Sequence, residues 1–186
     1  MKPFKTILIL AIGLAAGAAG TFGMLHFTGS FGGHTPYAGQ DARVVKAFSA
    51  DKVAGLREGR GLGYAKSAEL NGWEGPLHVL ELKGEMKLTP RQEQQIEAIR
   101  QSMLARARPL GERLIVAEQR LDALFQSESP SADAVEQAVA EIAAIEAQLR
   151  ASHLVAHLET APLLNPEQRK LYQEKRGYGH GHHAGH

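Results

Sequence analysis

The chain has 186 residues, of which 22% are charged, and its formal net charge is +1, so its charge balance gives no sign of bulk binding to nucleic acid. It contains no Cys, which excludes disulfides, a thiolate metal site and a Cys nucleophile. Aromatic residues make up only 6%, and the second half is rich in helix-forming residues, so the composition favours helix over sheet. No phosphate loop, nucleophile elbow or paired acid motif is present, and we therefore expect neither an enzyme nor an organic cofactor.

Residues 1–27 are predicted to be a targeting segment. Lys2 and Lys5 precede an uncharged run over residues 6–25, and the Ala-Gly-Ala sequence at 16–18 fits a signal-peptidase site. The alternative is an uncleaved anchor, because a membrane span also needs roughly twenty apolar residues. Cleavage is favoured, and both interpretations place the rest of the chain outside the cytoplasm, either soluble after cleavage or anchored in the membrane. The Gly/Ser/Thr-rich residues 28–42 are predicted to be a flexible linker.

A glycine-interrupted helical pattern follows the linker. Ser49 is a plausible N-cap, and the pattern runs to Asn71 with Gly55, Gly59, Gly61 and Gly63 inside it. Each glycine weakens a helix by up to about 1 kcal/mol relative to Ala, so we expect this helix to depend on packing. Gly75-Pro76 then begins a second, short helix that is predicted to end near residue 87.

A short phrase occurs twice and predicts the starts of two further helices. Each copy has a capping residue, a Pro at the first helical position and a Gln at the third, which can close a capping box. The helices are predicted over residues 90–126 and 166–175. The copies are Leu88-Thr89-Pro90-Arg91-Gln92 and Leu164-Asn165-Pro166-Glu167-Gln168.

Between the two phrases, apolar and Ala residues recur in steps of three and four. In the first long helix they form a seam from Ile96 to Leu124, which Pro109 is expected to kink unless it divides the helix in two. A short turn over residues 127–131 leads to a second seamed helix that ends near residue 160. So short a turn predicts an antiparallel hairpin. The seam of the second helix comprises Val135, Val139, Ile142, Ile145 and Leu149.

Histidines suggest a metal site near the open end of this hairpin. His153 and His157 lie four residues apart on one helix, so both imidazoles can bind one ion. His78 and Glu81 share a face of the short helix before the first phrase, and would add a third imidazole, with or without the carboxylate, if that helix folds back. The alternatives are that the two later histidines interact only with the helix dipole, or that His153 is a partly buried member of the seam.

The last ten residues, 177–186, are predicted to form a disordered Gly/His-rich tail. Flexible imidazoles bind Zn, Cu, Ni or Co ions weakly and without geometric selection. The alternative is an ordinary polar tail without function. The candidate ligands of the tail are His180, His182, His183 and His186.

An exported helical chain with two Leu-Thr-x-x-Gln-type phrases resembles the Spy/CpxP-type periplasmic chaperones, the zinc-resistance-associated proteins and the periplasmic heavy-metal sensors. The second phrase departs from the pattern, since Asn165 replaces Thr, but Asn can cap a helix equally well. The resemblance extends from about residue 61 to 178. Besides the phrases it is carried by residues 68–72, 75–80, 109–112, 153–154 and 157–158.

The resemblance implies an all-α domain over residues 43–176, built as a long antiparallel hairpin with short flanking helices and paired into a cradle-like homodimer. It implies an ATP-independent chaperone for unfolded envelope proteins, or a protein that senses or buffers divalent metal ions. His78, His153 and His157 fall where the sensors would place ligands. The alternative function is a membrane-anchored helical partner of an envelope-stress or metal-response signalling protein. We expect the two phrases themselves to be structural.

Overall fold

The computed structural model describes residues 36–178. The predictions for the leader at 1–27, and those for the tail ligands His180, His182, His183 and His186, lie outside the described residues. Within the described part the chain is helical and has no strand. Its helices are α1 (Ala50–Glu58), α2 (Lys66–Glu69), α3 (Pro76–Glu81), α4 (Pro90–Gln126), α5 (Ala132–Thr160) and α6 (Pro166–Arg176), with a short 3₁₀ helix at Ala161–Leu163.

The predicted antiparallel hairpin is formed by α4 and α5. Ser131 caps α5 by accepting from the backbone N–H of Ala134, and α4 runs unbroken through Pro109, so the alternative of two shorter helices is wrong. Most of the predicted seam is buried, including Leu114, Ile145 and Leu149, but Val139 is 49% exposed and does not belong to it. No helix between residues 36 and 178 combines the length and apolar character that crossing a membrane requires.

The prediction of one interrupted helix over residues 49–71 is wrong, because the glycines end the helix instead of only weakening it. α1 stops at Gly59, which adopts a left-handed φ of 73° and donates its N–H to carbonyls of the last turn. A short loop then leads to the single turn of α2. α3 is likewise shorter than expected, since it ends at Glu81 and is followed by turns up to Leu88.

α1 lies directly on α4, and Gly111 makes this contact possible. A Cβ atom at Gly111 would stand 2.2 Å from the backbone carbonyl oxygen of Leu56. Leu56 is 1% exposed and packs in the main core with Val45, Phe48 and the seam residues of the hairpin. The hairpin is therefore covered on one side by α1, at a backbone separation that only glycine allows.

The two repeated phrases meet in space through their glutamines. Each Gln Oε1 accepts the backbone N–H of its own cap, at 2.9 Å for Thr89 and 3.0 Å for Asn165, so both predicted capping boxes are confirmed. In addition, Nε2 of Gln92 donates to Oε1 of Gln168 at 2.9 Å, and Nε2 of Gln168 donates to the carbonyl of Met86 at 3.2 Å. The N-termini of α4 and α6 are thereby joined at the open end of the hairpin, beside α3.

Candidate metal centre

Two imidazoles face one carboxylate at the open end of the hairpin. α3 contacts both α4 and α5, and this brings His78 close to His157 of α5. Nε2 of His78 lies 3.6 Å, and Nε2 of His157 4.0 Å, from the same oxygen, Oε1 of Glu69 at the end of α2. Residues that are far apart in the sequence therefore converge on a single carboxylate oxygen.

The other nitrogen of each ring is already engaged. Nδ1 of His157 lies 2.9 Å from the backbone carbonyl oxygen of Trp73, which can only accept, so Nδ1 carries the proton. Nδ1 of His78 lies 2.9 Å from Oε2 of Glu81 in the same way. In the neutral rings, both Nε2 lone pairs are then left for an ion. A ligating histidine usually donates its second ring N–H to a carbonyl or carboxylate, and both rings follow this pattern.

Glu69 is held from its other side by the C-terminal end of the described chain. Its Oε2 accepts from the hydroxyl of Tyr178 at 2.5 Å and from Nη2 of Arg176 at 3.3 Å. The side chain of Glu69 is only 14% exposed. Because these two donors occupy Oε2, the carboxylate is fixed with Oε1 directed at the histidines.

His153 lies deeper on the same helix and lines the same cavity of about 340 Å³ as Glu69, His78 and His157. It is 4% exposed, its ring stacks on Tyr64 at a centroid distance of 5.9 Å, and its Nε2 finds no hydrogen-bond partner among the described residues. The sequence-based alternative that this residue is a buried part of the seam therefore agrees with its position.

The stability of the metal-free protein should depend on pH through His153. Burial, and secondarily the nearby His157, lower the pKa of His153 to about 4, whereas the unfolded chain has an ordinary pKa near 6.5. At pH values between these two pKa values, His153 is protonated in the unfolded state and neutral in the folded state. The free energy of unfolding therefore falls as the pH decreases through this range. We expect the free energy of unfolding to drop by about 2 kcal/mol more between pH 7 and pH 5 in the wild type than in a His153→Gln variant. Urea unfolding in the presence of a chelator measures this, and identical pH profiles would contradict it.

The described residues do not contain a metal site in finished form. Among residues 36–178, no group of three or more His, Asp or Glu side chains stands in metal-binding geometry. Two ligand atoms on a tetrahedral zinc ion are about 3.4 Å apart. The distances from Oε1 of Glu69 to Nε2 of His78, 3.6 Å, and to Nε2 of His157, 4.0 Å, exceed that value by a few tenths of an ångström. Glu81, expected as a possible ligand, instead bonds Nδ1 of His78 and is better described as the group that orients this ring.

Sequence reasoning missed four residues that shape this centre. Glu69 belongs to the run 68–72 that carries the family resemblance but is not predicted as a ligand, and Arg176 and Tyr178 give no signal because nothing local links them to Glu69. Gly75 is predicted only as a helix start. A Cβ atom there would lie 2.6 Å from Cε1 and 2.8 Å from Nε2 of His157, so the ring occupies the space that a side chain would need.

Comparison with known proteins gives one informative match. No curated protein and no solved structure matches the chain. A family model described as heavy-metal resistance matches residues 70–170, more than half of the chain, and this range includes both phrases, both helices of the hairpin and the three candidate histidines. The predicted resemblance is confirmed: the chain belongs to the heavy-metal resistance family, within the Spy/CpxP-like periplasmic group.

Proposed function

We propose that this protein binds a divalent transition-metal ion in the periplasm through His78, His157 and Glu69, and thereby buffers or senses heavy metals. The observation that supports it best is the pair of Nε2 atoms that face Oε1 of Glu69 while both Nδ1 atoms are engaged elsewhere. Family membership supports a role in heavy-metal resistance, and relatives in this group are typically periplasmic.

The donor set favours some ions over others. Imidazole nitrogens suit Zn, Cu, Ni and Co, whereas Mg and Ca prefer a cage of oxygens. Here two imidazoles and one carboxylate converge, and His153, whose Nε2 is buried, lines the same cavity. The ion would supply the positive charge that offsets the carboxylate and draws the two lone pairs together.

The competing explanation is an ion pair without metal. If either ring is protonated, its Nε2–H can point to Glu69 and satisfy the carboxylate. Protons and metal ions then compete for the same nitrogens, so metal affinity must decrease with decreasing pH. This alternative predicts no saturable metal binding at neutral pH, which separates the two by experiment.

A calorimetric titration with Zn, Co and Ni ions tests the proposal. The protein should carry a tail in which His180, His182, His183 and His186 are replaced by Asn, so that only the centre can bind; we call this the tail-Asn variant. We expect one ion per chain, and an affinity at least a hundredfold weaker after His78→Ala and His157→Ala are added. The matched control is Glu167→Gln, which changes an exposed carboxylate on α6. This variant should bind the ion with the affinity of the tail-Asn variant. Equal affinities in the double-Ala variant and its parent would refute the proposed site.

A second proposed function is the ATP-independent chaperone activity that the family resemblance implies. It is favoured by three large apolar side chains that remain exposed on the half of the hairpin nearer its turn: Val116 at 41%, Phe125 at 63% and Val139 at 49%. Exposed apolar side chains of this kind can each contact an unfolded segment. The protein should suppress light scattering from an aggregating client without ATP, and a Val116→Ser/Phe125→Ser/Val139→Ser variant should suppress it less. No suppression at a large excess of the wild type would contradict this activity.

A further inference from the structure

The segment over residues 69–75, which we call the bridging segment, holds the candidate metal centre from one side. Oε1 of Glu69 faces the two imidazoles, and the backbone carbonyl of Trp73 accepts from Nδ1 of His157. A Cβ atom at Gly75 would collide with the same ring, so the backbone there sets how closely His157 can approach. The position of the carboxylate and the orientation of one imidazole therefore both depend on where this segment lies.

Helix α6 bonds to the same segment with a different set of atoms. Nε of Arg169 lies 3.1 and 3.2 Å from the two carboxylate oxygens of Glu74, which share its hydrogen. The backbone N–H of Gly75 donates to the hydroxyl of Tyr172 at 3.3 Å, and Oε2 of Glu69 accepts from the two donors at the end of the helix. The bridging segment is thus fastened to α6 at its beginning and at its end.

The ion pair between Glu74 and Arg169 is the most buried of these attachments. The side chain of Glu74 is 1% exposed, and within residues 36–178 Arg169 is the one cation that pairs with it, while Nε2 of Gln173 donates to Oε1 at 3.4 Å. A buried carboxylate that loses its cation must take up a proton or turn toward water. Either change moves the backbone on both sides of it, and its neighbours are Trp73, which orients His157, and Gly75, which leaves room for that ring.

We propose that Arg169, through the buried carboxylate of Glu74, positions the bridging segment for metal binding, so that the docking of α6 and the binding of the ion stabilise each other. The inference rests on the proposed metal function. A coupling free energy between two binding events is reciprocal, so the factor by which docked α6 raises metal affinity is also the factor by which the ion favours docking. Helix α6 is then the element whose docking reports that the metal centre is filled.

Cobalt(II) titration of the full-length tail-Asn variant and its derivatives tests the positioning role. We expect Arg169→Met and Glu74→Gln each to weaken binding by about tenfold, as is usual when a group that orients a ligand is lost. The double variant should bind no more weakly than the weaker single variant, because the two residues act as one unit. Lys175→Met is the matched control and should bind as its parent does. Lys175 lies on the same helix and its side chain is 46% exposed, as is that of Arg169, but it pairs with Glu85 outside the bridging segment.

Amide hydrogen exchange, followed by mass spectrometry with and without cobalt, tests the coupling with no substitution in α6. Saturation of the tail-Asn variant with metal should slow exchange at the helical amides of residues 170–176 by about tenfold, the same factor in the reciprocal direction. Amides of residues 120–140, at the opposite end of the hairpin, are the internal reference and should change less than about twofold. This measurement decides the matter even if Arg169→Met does not fold.

Each contrary result has a distinct meaning. If Arg169→Met binds cobalt as tightly as the tail-Asn variant, the inference is overturned and the proposed function stands. Equal weakening by Arg169→Met and Lys175→Met also overturns it, since α6 then only supports the fold. The same holds if cobalt binds but slows exchange in α6 no more than in the reference. If the tail-Asn variant does not bind cobalt at all, the proposed function fails and the inference fails with it.

Discussion

Replacing Gly111 by Ala is expected to lower the free energy of unfolding by about 3 kcal/mol, although Ala is the better helix former. The new methyl group would stand 2.2 Å from the carbonyl oxygen of Leu56, which is backbone and cannot rotate away. α1 must therefore shift outward from α4 as a unit, and the packing of Leu56 against the hairpin must loosen. This cost outweighs the gain in helix propensity of about 1 kcal/mol.

Urea unfolding followed by circular dichroism measures the effect of Gly111→Ala. Gly84→Ala is a matched control, because a Cβ atom at Gly84 would meet nothing within 4 Å and its backbone has no positive φ. The control should change stability by less than about 0.5 kcal/mol. If the two variants unfold at the same urea concentration, α1 does not lie on α4 as closely as described.

Replacing Gly75 by Ala is expected to weaken metal binding about a hundredfold while the fold is retained. The methyl group would contact Cε1 and Nε2 of His157 at 2.6 and 2.8 Å, so the ring has to swing away from Oε1 of Glu69. The backbone of Gly75 has an ordinary extended conformation, with φ −93° and ψ 144°, so Ala adds no backbone strain there. Its effect should therefore appear in affinity, with little change in helical content.

The affinity of Gly75→Ala is best measured in the tail-Asn variant, so that tail histidines do not compensate. Gly61→Ala is the matched control, because Gly61 lines the same cavity and a Cβ atom there would meet nothing within 4 Å. It should bind the ion as its parent does. Unchanged affinity in Gly75→Ala would mean that His157 is not a ligand, even if metal binding itself is confirmed.

The long elements were predictable because their signals are local. Thr89 and Asn165 each bond to the N–H of a residue three positions later, so each helix start is encoded within four residues. The hairpin followed from seam spacing and from the length of one turn. Between residues 49 and 88 the predicted helix starts at Ser49 and at Gly75-Pro76 are confirmed, but the predicted helix ends are wrong, because the geometry of short helices there depends on packing. The helical pattern could not reveal that Gly59 would adopt a left-handed conformation.

The sequence by itself determined the helical class, the hairpin, the family and the three histidines as candidate ligands. Only the tertiary structure decided what surrounds them: that Glu69 lies between His78 and His157, that Gly75 makes room for one ring, and that Tyr178 returns to the carboxylate. The reason is sequence distance. Helix caps and seams arise from neighbours within a few residues, whereas Glu69 and Tyr178 are 109 positions apart and meet only after α6 has docked beside α3.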